Sequence, residues 1–178
     1  MTEAEGLVAN HSAEDLTQLT LKGNGTFATL DQVLDAWTAD TPLLIEMKID
    51  GETDAEGFAG LVAERVEAFK GPAALMSFSR RAVSATPPSV MKGALILPSR
   101  MSQDITLRAL VSTSAALMPD FIAAHWSDAR DAQMTATDYG LPIAVWTVDT
   151  ADRAEELKSL LVAQIFEGFD PAFVRLEA

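Results

Sequence analysis

Residues 42–48 read Pro-Leu-Leu-Ile-Glu-Met-Lys, a short run that is apolar on both alternating faces up to Met47 except at Glu46. A half-exposed strand alternates apolar with polar, whereas a strand apolar on both faces belongs to a parallel sheet covered on both sides. Just beyond it the period changes. Phe58, Leu61, Val62, Arg65, Val66 and Phe69 recur at helical spacing with Glu64 and Glu67 between them, which predicts an amphipathic helix that Gly71 and Pro72 stop. The same cycle then repeats along the chain. Strands are predicted at 73–78, 93–97, 121–125, 143–148 and 163–166, and helices at 79–84, 105–112, 127–139 and 152–161. Strands alternating with helices imply parallel βαβ units with right-handed crossovers, hence the α/β class, with ligands at the carboxyl ends of the strands. A closed barrel of about eight such units takes roughly 250 residues, so this chain of 178 residues predicts about six units and a barrel two strands short. An open α/β sheet closed by a partner chain fits the same repeat.

Upstream of this cycle, residues 1–25 are polar and glycine-punctuated, with Gly23, Asn24 and Gly25 marking a turn, and are expected to be mostly loop. Thr29 and Gln32 have the spacing of a capping box, and Val33, Leu34 and Trp37 share the face of the short helix it starts. His11 precedes a predicted capping serine, Ser12, with Asp15 as its three-residue partner, and is assigned no role. The whole of 1–178 is expected to form one domain, because its 48% hydrophobic residues suffice for one core.

Charge and composition remove several classes of function. The net charge of −13, from 26 acidic and 13 basic residues, repels a phosphate backbone and makes nucleic acid a poor partner. The absence of cysteine excludes thiolate nucleophiles, disulfides and thiolate zinc sites. Any metal site would be built from carboxylates and the two histidines. No apolar stretch approaches the ~20 residues that span a bilayer, and the first residues carry no secretory pattern. A soluble, cytoplasmic protein is expected.

Few residues remain as candidates for chemistry. Glu46 and Lys48 are two apart on a strand and point to one face. They form either an internal ion pair filling the barrel top or a divalent-metal ligand beside a phosphate-binding cation. Trp146 and Thr147 end the predicted strand 143–148, where an indole either packs structurally or stacks on an alcohol. His125 ends the strand 121–125, either as a general base or as a satisfied surface histidine. Glu167, after the last strand, faces the active end or merely follows the strand. No Gly-rich phosphate loop, Gly-x-Ser-x-Gly elbow or His-Glu-x-x-His helix occurs.

Taken in order, residues 27–34 (Phe-Ala-Thr-Leu-Asp-Gln-Val-Leu), 42–48, Met76-Ser77-Phe78 and Val145-Trp146-Thr147-Val148 resemble the glycerophosphodiester phosphodiesterase family. Ile165-Phe166-Glu167-Gly168-Phe169 resembles a bacterial branch of it. The resemblance implies a TIM-type barrel that hydrolyses glycerophosphodiesters to glycerol 3-phosphate and an alcohol, with Ca or Mg bound at the phosphodiester. It implies that Glu46 is a metal ligand, that Lys48 contacts phosphate, and that Trp146 is a pocket aromatic.

The departure from the family is large. Its His-Arg-Gly and Glu-x-Asp strands and its second histidine have no counterpart here, and residues 1–21 resemble the stretch just after that histidine. Met1-Thr2 matches the middle of an Arg-x-Thr motif there, so an N-terminally truncated barrel is expected. Without the family's histidine pair, and with one of three carboxylate ligands, this chain alone is expected to be inactive and to hold Ca or Mg weakly if at all. Unpaired parallel edges are expected to drive homo-oligomerisation. A non-catalytic ligand-binding or assembly module derived from the barrel is the other reading.

Overall fold

The computed structural model describes residues 6, 8–21, 25–38, 40–102, 104–160 and 162–170. The Met1-Thr2 motif and most of the turn expected at Gly23 and Asn24 lie outside them. Six strands, β1 (Leu43–Glu46), β2 (Ala73–Ser77), β3 (Met91–Leu95), β4 (Phe121–His125), β5 (Ile143–Val148) and β6 (Ala163–Phe166), form one sheet. They pair in chain order and all in parallel. Helices α1 (Ala13–Thr17) and α2 (Leu30–Ala36) precede the sheet. Helices α3 (Ala55–Ala68), α4 (Arg80–Ala85), α5 (Leu107–Ala115), α6 (Ala129–Thr137) and α7 (Ala151–Lys158) connect successive strands.

The helices start where the sequence supplies a side-chain acceptor. Ser12, Thr29, Asp54, Ser79, Thr106 and Thr150 each accept the orphan N–H three residues on, and each such cap contributes about 1 kcal/mol. Ser12 with Asp15 and Thr29 with Gln32 form full capping boxes, as expected. The segment read as loop is therefore partly helical, because that box starts α1 and a 3₁₀ turn at Val8–Asn10 precedes it. The expected helix from 127 is also displaced. Residues Trp126–Asp128 form a 3₁₀ turn and α6 starts at Ala129 without a side-chain cap.

Two faces of the sheet are packed differently. On the outer face, Ile45, Met47 and Leu75 pack under Ala59, Val62, Ala63 and Val66 of α3. Farther along, Ala94, Ile96, Ile122, Ala124 and Val145 pack with Val111, Ala132 and Ala136 of the following helices. Leu75, Ile122 and Val145 are fully buried there, and each contributes roughly 1.5–3 kcal/mol of burial. On the inner face, Met76, Leu95, Ala123 and Ala144 make a smaller layer with Phe121, Trp146 and Ile165.

The sheet is strongly curled. Phe78 follows β2 and Trp146 lies in β5, three strands away, which is about 14 Å across a flat sheet at ~4.8 Å per strand. Their ring centroids nevertheless lie 5.4 Å apart, so the inner face is the wall of a trough. Gly93 helps to fill its floor, because a Cβ there would meet the Phe121 ring. Among the described residues β1 pairs only with β2, and β6 only with β5. Leu44 and Phe166 on these two edge strands are exposed. No described helix is long and apolar enough to cross a membrane.

Candidate functional site

Glu46 ends β1 on the inner face. Its neighbours Ile45 and Met47 belong to the layer under α3, and its register partner Met76 belongs to the inner layer. Lys48 Nζ donates to Glu46 Oε1 at 2.9 Å, so the expected shared face is observed. The pair does not plug the barrel top. The lysine side chain is 81% exposed against 27% for the carboxylate, and an ion pair of this kind contributes about 0–1 kcal/mol. Lys48 can therefore leave Glu46 for an anion at little cost.

Trp146 reaches the same trough from β5. Its Nε1 donates to the Ala123 carbonyl at 3.2 Å, and its ring makes edge-on contacts with Phe78 and with His125 at 5.4 and 5.2 Å. Thr147 follows it, half-buried. Glu167 is exposed beyond β6, where its backbone N–H donates to the Val148 carbonyl. His11 is exposed beside the α1 capping box.

His125 corrects the expectation of a surface histidine, because the residue is only 8% exposed. It lies between Trp146 and Trp126, both with centroids 5.2 Å away. The Ser127 N–H donates to His125 Nδ1 at 3.1 Å and the Ser127 hydroxyl lies 2.8 Å from the same atom. A backbone N–H can only donate, so Nδ1 is an acceptor and the ring proton sits on Nε2. Burial first, then the neighbouring Arg100 charge, holds the imidazole pKa below its ordinary value. With its lone pair occupied at Nδ1 and a proton on Nε2, this ring has no free basic atom for general-base work.

Several neighbours of His125 were not singled out from sequence. Arg100, from the turn after β3, donates to Ser127 Oγ at 3.0 Å. Its NH1 and NH2 lie 3.5 and 3.4 Å from the two ring nitrogens. Asp128 is held away from Arg100, since Ser99 N–H and Ser99 Oγ donate to its two oxygens at 2.7 Å each. Arg153 lies over the Trp126 ring at 3.7 Å and pairs with Asp149. The only sequence signal was the two-residue step from His125 to Ser127; the rest depends on how the turns after β3 and β4 meet.

The donor set does not fit a resident Ca or Mg ion. Calcium takes about six to eight oxygens and magnesium about six, whereas Glu46 is a single carboxylate engaged by Lys48. No group of three or more His, Asp or Glu capable of holding a metal occurs among the described residues. A cleft of about 530 Å³ lined by Asp31, Trp37, Arg65 and Lys70 lies before the amino ends of β1 and β2 instead. Ligands of parallel α/β sheets bind at the carboxyl ends, so the trough rim remains the candidate site.

No family model matches the sequence, and no curated protein matches it. Solved structures do match the fold. A protein from Galdieria sulphuraria assigned to the glycerophosphodiester phosphodiesterases superposes with a TM-score of 0.77 at 19% identity, over 96% of this chain and 71% of that one. An Oleispira antarctica phosphodiesterase, solved in complex with the product sn-glycerol-3-phosphate, gives 0.75 at 17% identity, over 93% and 70%. A Parabacteroides distasonis glycerophosphodiester phosphodiesterase gives 0.64 at 18%, over 87% and 66%. The α/β expectation is met: the described residues form six parallel strands of a TIM-type barrel, with the fold seen in glycerophosphodiester phosphodiesterases.

Proposed function

We propose that this chain belongs to the glycerophosphodiester phosphodiesterase family and binds a glycerophosphodiester at the rim of its trough. Lys48 meets the phosphate and Trp146 walls the alcohol, while Glu46 holds Lys48 at the rim until the ligand arrives. The observation that carries this reading is the inner-face position of Glu46 and Lys48 at the carboxyl end of β1, in a trough that also presents Trp146. When the phosphate arrives, the exposed Lys48 exchanges the half-buried Glu46 carboxylate for a substrate oxygen and acts as a point charge. The indole excludes water from one side of the ligand and offers its face to the alcohol.

Cleavage requires a group that activates the nucleophile and one that protonates the leaving oxygen, each contributing about 10²- to 10⁴-fold. His125 has no free basic nitrogen, and His11 stands ahead of α1. The chain by itself therefore binds its ligand without hydrolysing it. Calorimetric titration with glycerophosphocholine in Ca or Mg tests this, together with an assay for released choline. Saturable binding is expected to weaken about 10- to 100-fold in Lys48→Met, the equivalent of ~1.5–3 kcal/mol for a charge-assisted contact, with no choline released. Binding unchanged in both Lys48→Met and Trp146→Ala would remove the assignment, and turnover abolished by Glu46→Gln would remove the inactivity.

The exposed edge strands favour a second role beside this one. Leu44 on β1 and Phe166 on β6 stand on strands with one neighbour each among the described residues, and such edges recruit further strands. We propose association of copies of this chain through these edges, as the fold of a non-catalytic assembly module would also require. Light scattering that gives a monomer mass at every accessible concentration would rule it out.

A further inference from the structure

We infer that Arg100 and His125 form a second oxyanion site on the trough rim, built for a phosphate group and separate from the Glu46–Lys48 pair. The inference rests on their hydrogen-bond inventory and holds whatever substrate Lys48 serves. Arg100 NH2 and His125 Nε2 are 3.4 Å apart. Because Nδ1 accepts from the Ser127 N–H, Nε2 carries the proton, so the two facing groups are both donors. Two donors at that distance satisfy neither. Among the described residues no oxygen accepts from Nε2, and no carboxylate pairs with Arg100.

The surroundings keep this arrangement in place. The exposed Arg100 is tied to Ser127 Oγ at 3.0 Å, and that hydroxyl sits 2.8 Å from His125 Nδ1. Asp128, the nearby carboxylate, has both oxygens occupied by Ser99. Arg65, Arg81, Arg108 and Arg153 have carboxylate partners; Arg100 is instead held by a hydroxyl and an imidazole, which leave its charge uncompensated. A single oxyanion accepting from the guanidinium and from Nε2–H resolves both vacant donors together. Phosphate fits better than carboxylate, because it carries more charge and its tetrahedral oxygens can meet the guanidinium and Nε2–H separately, whereas the two oxygens of a carboxylate lie in one plane.

The chain has only two histidines, so their imidazole nitrogen signals can be followed directly by NMR, with His11 as an internal control. Inorganic phosphate titrated at constant ionic strength is expected to shift the His125 signals saturably and leave His11 in place. Arg100→Gln, an exposed substitution, should weaken that response at least tenfold, while Lys48→Met should leave it intact. Acetate at the same ionic strength should produce no saturable shift. Signals of His125 that do not move, that move equally in Arg100→Gln, or that answer acetate as they answer phosphate would each overturn the inference. A response lost in Lys48→Met instead would also overturn it, while leaving the phosphodiester reading standing.

Discussion

Gly93→Ala tests the construction of the trough floor, because its effect should change sign with the residue opposite. A Cβ at Gly93 would lie 2.8 Å from Phe121 Cε1 and closer still to Cε2 and Cζ. Overpacking of this kind costs about 1–3 kcal/mol. Replacing glycine by alanine where the backbone permits it returns about 0.4–1 kcal/mol from the unfolded state. Gly93 is not among the positive-φ residues, so that return is available here, and the net cost should be roughly 0–2.6 kcal/mol from these two ranges. In a Phe121→Ala background the obstacle is gone, and Gly93→Ala should stabilise by about 0.4–1 kcal/mol. Urea unfolding followed by tryptophan fluorescence measures all four corners of the cycle. A Gly93→Ala cost that persists after Phe121 is truncated would refute the packing of the ring over the glycine.

Other perturbations separate the layers of the molecule. Leu75→Ala, at a fully buried outer-face position, should cost about 2.7–5 kcal/mol by urea unfolding. Ser77 donates to the Met47 carbonyl at 2.7 Å and accepts from the Ser79 N–H at 3.0 Å, so Ser77→Ala should cost about 1–3 kcal/mol by leaving both unpaired. His125 has a lowered pKa, so below about pH 6.5 the unfolded chain takes up a proton that the folded chain does not. Its contribution is fully present above that pH and is lost as the pH falls towards the lowered folded value, with Arg100, Arg153 and Asp128 as the charges acting on it. Unfolding curves between pH 7.5 and 5.5 should show that loss in the parent chain and a flatter profile in His125→Gln.

What was legible in the sequence is what burial alone dictates. Residues 42–47 are apolar on both faces because α3 covers Ile45 and Met47 while the trough receives Leu44 and Glu46, and that double demand can be read without knowing any partner. Helix starts were legible where a cap is local, as at Ser12 and Thr29. The start of α6 was not, because Ser127 looks like a cap in sequence but its hydroxyl serves His125, and Asp128 is taken by Ser99. The β3 strand was expected at 93–97 yet spans Met91–Leu95. Lys92 reads as polar, but it is buried by donating from Nζ to the Thr86 carbonyl and from its backbone N–H to Asp120. The rim cluster was illegible for the same reason, since Arg100 meets His125 only where two turns 25 residues apart converge.

The division between the two faces of the sheet explains why a site can sit here without weakening the fold. The outer layer is closed: Leu75, Ile122 and Val145 have no exposure, and small alanines on α3 and α6 let those helices lie close. The inner layer is open, and Leu44 and Phe78 keep about two-fifths of their surface in solvent. Removing an outer side chain forfeits its burial and leaves a cavity, whereas truncating the exposed Lys48 or Arg100 opens no cavity in the core. Substitutions outside should therefore change unfolding without changing ligand affinity, and rim substitutions should do the reverse. Gly93 and Phe121 sit on the boundary, where a change in the floor tilts the wall carrying Trp146 and His125 and both properties should move together.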